Sequence, residues 1–126
     1  MPEDEINRVT GEIIDAAIAV HRELGPGLLE SAYESCLAFE LCDRGLRVEH
    51  QVELPVMYRG HRVEAGYRLD LLVEKLVIVE LKAVESLTPI HQAQLLSYLK
   101  LSKKAVGLLI NFNTKLLKDG IVRLAN

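Results

Sequence analysis

With 49% hydrophobic and 26% charged residues, the 126-residue chain has enough apolar side chain for a single globular core, which excludes a disordered polymer. No apolar run approaches the ~20 residues that cross a bilayer, and Met1-Pro2-Glu3-Asp4-Glu5 is acidic where a secretory leader is basic, so a cytoplasmic protein away from membranes is expected. The net charge of −3 argues against unselective coating of nucleic acid, although residues 1–99 hold nine Lys/Arg against seventeen Asp/Glu and residues 100–126 hold six against Asp119 alone.

From Asp4 to Leu24, apolar side chains recur at Ile6, Val9, Ile13, Ala17, Val20 and Leu24, the spacing of one helix face. Gly25-Pro26-Gly27 ends that helix, because proline brings no amide hydrogen and glycine accepts the reversal. A second helix is predicted over Leu29–Arg44, with Ala32, Tyr33, Cys36, Leu37 and Leu41 along one side and Gly45 as its stop. Cys36 and Cys42 fall within it without zinc or disulfide spacing and read as buried thiols. Glu30 and Tyr33, three apart, are expected to point together. A carboxylate at Glu30 either favours the positive helix terminus or serves whatever that face meets.

Leu46–Tyr58 alternates at Val48, Val52, Leu54 and Val56 as a strand, and Pro55, which cannot donate to a ladder, predicts an edge or a bulge. Arg59-Gly60-His61 turns the chain and Arg62–Val73 returns. Leu69–Val73 and Leu76–Leu81 have the nearly continuous Val, Ile and Leu of strands buried on both faces. Asp70, Glu80 and Lys82 interrupt them, although withdrawing an ionised group from water costs several kcal/mol unless a partner or metal compensates. Glu80 and Lys82 share a face by the period of two. A Glu74-Lys75-Leu76 loop pairs residue 70 with 80, whereas a Glu74-Lys75 turn pairs it with 79. Neither Glu74 nor Lys75 suits the left-handed backbone of a tight turn, so the looser loop and Asp70 beside Glu80 are expected. Two carboxylates and an ammonium together suit Mg²⁺ or Mn²⁺ and phosphodiester chemistry; a solvated ion-pair face is the alternative.

Thr88-Pro89 starts a third helix that runs to Ser102 and places Gln94 and Tyr98 on one face, as a polar stripe or as site residues. His21, His50, His61 and His91 show no metal spacing. Ala105–Phe112 is a buried strand reached by this crossover helix, hence parallel to Leu76–Leu81, and Lys118-Asp119-Gly120 turns into a last strand, Ile121–Leu124. Lys100, Lys103, Lys104, Lys115, Lys118 and Arg123 form either a basic surface for phosphates or a solvated helix end and strand edge. The predicted order, α-α-β-β-β-α-β-β, makes residues 1–126 one α/β domain with a mixed central sheet flanked by helices.

Asp70 followed by Glu80-Leu81-Lys82 resembles the PD-(D/E)XK nuclease superfamily, in which an aspartate and a Glu-x-Lys on adjacent strands hold the catalytic metal; Leu69 stands where the superfamily pattern has proline. Gly27-x-x-Glu30-x-x-Tyr33 resembles the motif of a narrower group, the small bacterial and archaeal GxxExxY proteins. That likeness continues through Asp70–Val73, Val77–Val84, His91–Gln94 and Val106–Phe112. The resemblance implies a restriction-endonuclease-like fold and a Mg²⁺- or Mn²⁺-dependent nuclease acting on nucleic acid, with DNA the expected substrate. It assigns the metal to Asp70, Glu80 and the Leu81 carbonyl, with Glu30 bound directly or through water. It assigns the attacking water to Lys82, and gives Gln94 and Tyr98 the task of orienting Lys82 or the phosphate. Two rivals stand beside this: a noncatalytic interaction module in which Asp70, Glu80 and Lys82 form a buried ion-pair network, and a subunit working as a homodimer or in a larger complex.

Overall fold

In the computed structural model, which describes residues 2–126, two helices lead, α1 (Pro2–Leu24) and α2 (Glu30–Asp43). Strands β1 (Val48–Tyr58), β2 (His61–Val73) and β3 (Val77–Lys82) follow as an antiparallel meander. Helix α3 (Pro89–Ser102) crosses over to β4 (Val106–Asn111), which runs parallel to β3. A 3₁₀ turn (Leu117–Gly120) then leads into β5 (Ile121–Ala125), antiparallel to β4. The sheet order is β1-β2-β3-β4-β5, so the expected element order and mixed α/β architecture are observed. Among the described residues no helix is long and apolar enough to cross a membrane.

The sheet separates two cores, which explains why β3 and β4 read as continuous apolar runs. On one face α1 and α2 bury Val9, Ile13, Val20, Tyr33, Leu37 and Leu41 against Val79, Leu81, Leu108 and Ile110. On the other, α3 buries Leu95, Tyr98 and Leu99 against Leu54, Leu69, Leu72, Ile78 and Leu109. Each such large side chain contributes about 1.5–3 kcal/mol when fully withdrawn from water. Helix α3 comes so close to β4 that a Cβ on Gly107 would lie 2.9 Å from Leu95 Cδ1.

Tyr33 and Glu30 do not point together. Three residues fall about 60° short of a full helical turn, and that offset buries Tyr33 completely while leaving Glu30 half-buried. The Tyr33 hydroxyl donates to the Gly25 carbonyl at 2.5 Å and accepts the Leu28 N–H at 3.1 Å. Its ring stacks on Phe112 at 4.5 Å between centroids. The tyrosine thus pins the α1–α2 connection. The cysteines also depart from expectation: Cys36 is half-buried and Cys42 exposed, because α2 turns its inner face at Leu37 and Leu41.

The β2–β3 connection has the expected register for an unexpected reason. Val73 pairs with Val77 and Leu71 with Val79, so three residues intervene. Glu74 and Lys75 nevertheless both take left-handed backbone, φ 53° and 55°. Arg47 holds them there: the Glu74 N–H donates to the Arg47 carbonyl at 2.8 Å, and the Arg47 N–H donates to Glu74 Oε2 at 2.6 Å. Two hydrogen bonds of about 1 kcal/mol each offset much of the roughly 1–2 kcal/mol per residue that left-handed backbone costs. Strand β1 is one of the two sheet edges, and its register shifts across Pro55, as proline requires.

Candidate functional site

The β2–β3 ladder stops at Leu71 and Val79. One step further Asp70 faces Glu80, and side chains replace the ladder: the Asp70 N–H donates to Glu80 Oε2 at 2.8 Å, and the Leu81 N–H donates to Asp70 Oδ2 at 2.9 Å. A strand residue directs its N–H and C=O to the same edge, so the Leu81 carbonyl opens toward this gap. On the other side of Asp70, β1 is equally irregular. Gln51, between the pairs His50–Leu71 and Val52–Leu69, has φ 47° and sends its amide to the Glu34 carboxylate at 3.0 and 3.1 Å and to Asp70 Oδ1 at 3.4 Å. Leu71 and Val73 pack with α1 and α2 whereas Leu69 packs with α3, so the alternation of β2 changes over at Asp70. Local breaks of this kind re-aim side chains. Here the break delivers two carboxylates to one opening.

Charge is crowded there. Burial above all, then the charge of Asp70, pushes the Glu80 carboxyl up to about 8, against the opposing pull of the Asp70 N–H and Lys82. Burial likewise raises Asp70, opposed by the Leu81 N–H, the Gln51 amide and Lys82. Glu30, reaching in from the start of α2, is raised by burial and by Asp70 and Glu34, with Lys82 opposing. Glu34 is raised by burial and Asp70, with the Gln51 amide opposing. Glu30, Asp70 and Glu80 therefore crowd around one ammonium, with Glu34 beside Asp70, and a cation would stabilise their ionised forms.

Lys82 also lines a groove of about 600 Å³ together with Gln94 and Tyr98 of α3 and Tyr67 of β2. Tyr98 is 6% exposed and sets its ring against Tyr67 at 5.9 Å. Burial, followed by the charge of Glu80, raises its phenol. His91 serves the helix instead, its Nδ1 accepting the Thr88 N–H at 3.1 Å. Lys103, Lys104 and Arg123 do not gather here. Lys103 and Lys104 precede β4 at the end where Val77 pairs with Val106, whereas Lys82 pairs with Asn111 at the other. Arg123 donates to Asn7 Oδ1 at 2.8 Å.

Residues 7–124 match the family model of the PD-(D/E)XK nuclease superfamily. The chain belongs to this superfamily. No curated protein and no solved structure matches it. The mixed five-stranded sheet with its flanking helices is consistent with the PD-(D/E)XK fold, and the helix and strand order agrees.

Of the residues singled out from the sequence of this PD-(D/E)XK protein, the structure brings Glu30, Asp70, Glu80 and Lys82 together, and sets Gln94 and Tyr98 in the groove beside Lys82. Sequence reasoning passed over Glu34, Gln51 and Tyr67. Glu34 carried a signal, standing four residues after Glu30 on the same side of α2. Gln51 carried none, since its role depends on a left-handed backbone that its neighbours impose.

Among the described residues no group of three or more His, Cys, Asp or Glu forms a ready metal cage. Magnesium, however, retains several waters and binds proteins through one or two carboxylates. Asp70, Glu80 and the Leu81 carbonyl offer oxygen only, which suits a hard cation better than zinc, and carboxyls that resist ionising together fit the same ion.

Proposed function

We propose that this PD-(D/E)XK protein is a Mg²⁺- or Mn²⁺-dependent nuclease that hydrolyses phosphodiester bonds of DNA, and that within the superfamily it belongs to the GxxExxY group. The supporting observation is the gap between β2 and β3, where the Asp70 and Glu80 carboxylates cross-bridge the strands within the influence of the Lys82 ammonium. Asp70, Glu80 and the Leu81 carbonyl would hold the metal, with Glu30 binding through water. When bound, the metal would supply positive charge to the phosphoryl oxygens. Lys82 holds the attacking water and offsets negative charge as it develops on the phosphate. Gln94 and Tyr98 orient Lys82 or the phosphate from the groove wall, while Gln51 and Glu34 keep Asp70 in place.

Calorimetric titration with Mn²⁺ tests the reading, paired with cleavage of a labelled DNA. Binding is expected in the parent protein and lost in Asp70→Ala, and cleavage should require the metal. A parent protein that binds no Mn²⁺ would sink the proposal. One observation favours the noncatalytic reading: each carboxylate already bonds a backbone N–H across the gap, so the pair also works as a staple between strands.

A further inference from the structure

The groove beside Lys82 has the wrong lining for a duplex backbone. Phosphates of double-stranded DNA are held by several lysines and arginines, yet Lys82 is the one Lys, Arg, Asp or Glu lining this groove among the described residues. The remaining wall is Tyr67, Ile90, Ala93 and Leu101 with the rings of Tyr98 and His91 and the polar but uncharged side chains of Gln94 and Ser97. Tyr67 is 44% exposed and Ile90 71% exposed, so an aromatic and an aliphatic side chain stand open to water on one groove. The backbone directs Tyr67 there. Between the pairs Leu54–Tyr67 and Val56–Val63, β2 carries three residues where β1 has only Pro55, and Gly66 takes φ 80°. Such an excursion re-aims the neighbouring side chain.

We infer that this groove receives an unpaired base, stacked on Tyr67 next to the phosphate held at Lys82, so that the substrate is single-stranded nucleic acid or a frayed end. The inference rests on the nuclease reading of the same site and adds its substrate class. One lysine suits one phosphate; the aromatic and aliphatic side chains beside it suit the π-face of a base, whose stacking on an aromatic ring is worth about 1–3 kcal/mol. The volume, about 600 Å³, lies within the range of small-ligand clefts.

The test uses an oligonucleotide containing 2-aminopurine, whose fluorescence falls on stacking, with phosphorothioate linkages that resist hydrolysis and Mg²⁺ present. The chain contains no tryptophan to obscure the signal. The parent protein should quench the single strand and bind it more tightly than the same sequence in a blunt duplex. Tyr67→Ala should weaken single-strand binding by roughly 5- to 150-fold, the equivalent of one lost stacking contact. Tyr67→Phe should retain it, since the ring rather than the hydroxyl is used. Absence of quenching, equal affinity for the duplex, or indifference to Tyr67→Ala would overturn the inference. Cleavage of an unmodified strand is followed in parallel to separate the two readings. Stacking without cleavage removes the nuclease proposal alone, whereas duplex cleavage indifferent to Tyr67→Ala removes this one alone.

Discussion

Replacing Glu80 by glutamine removes the carboxylate that the fold tolerates least, while its amide oxygen still accepts the Asp70 N–H. Glu80 is 5% exposed and its carboxyl stands at about 8 in the folded chain against 4.5 for the free group. Because the folded value is the higher, this group's contribution to stability is full below about pH 4.5. It is lost as pH rises through about 8, where the buried group must ionise. The gap amounts to at most about 5 kcal/mol, an upper bound since ordinary relaxation lowers it. In EDTA the parent protein should therefore lose melting temperature between about pH 5 and pH 9, by on the order of 10 °C. Glu80→Gln should show a much flatter profile. Magnesium should restore the parent most strongly at the alkaline end, where it meets an ionised carboxylate, and should do little for the variant. Thermal melting followed by circular dichroism, with EDTA and with Mg²⁺, reads all of this. Parallel pH profiles for parent and variant in EDTA would refute the reasoning, since they would mean that Glu80 ionises freely.

Lys82→Met retains aliphatic volume and deletes the ammonium; the catalytic reading expects an intact fold and retained metal affinity, with cleavage reduced ~100-fold or more. A loss of ~3–5 kcal/mol that Mg²⁺ does not rescue would instead mark a buried ion-pair network. Tyr33→Phe strands the Leu28 N–H and frees the Gly25 carbonyl, so denaturant unfolding should show a loss of about 1–3 kcal/mol, and an unchanged midpoint would remove the pinning role. Gln51→Gly relieves left-handed backbone but deletes the amide bridging Glu34 and Asp70, so melting should hardly change while Mn²⁺ affinity falls roughly 10- to 100-fold by calorimetry. Unaltered affinity there would show that Asp70 needs no such support.

Much of the fold was legible in the chain because its causes are local. The apolar period of α1, the proline at the start of α3 and the unbroken apolar runs of β3 and β4 each reflect one element meeting one core, and all reappear. Asp70, Glu80 and Lys82 also stood out unaided, since charge inside such runs has no packing reason. Other features arise only where distant segments meet. Glu74 and Lys75 adopt left-handed backbone because Arg47, remote in sequence, supplies two hydrogen bonds; propensity alone argues against it. The change of face at Asp70 breaks the period of two, and it exists because the ladder gives way to carboxylates there while Gln51 bulges opposite. Tyr33, by its spacing a partner for Glu30, is drawn inward by Phe112 and the Gly25 carbonyl. Periodicity states which side of an element is apolar. Which polar groups then converge in a gap between strands depends on how all the elements pack, because the free energy of burying each charge is set by neighbours far along the chain.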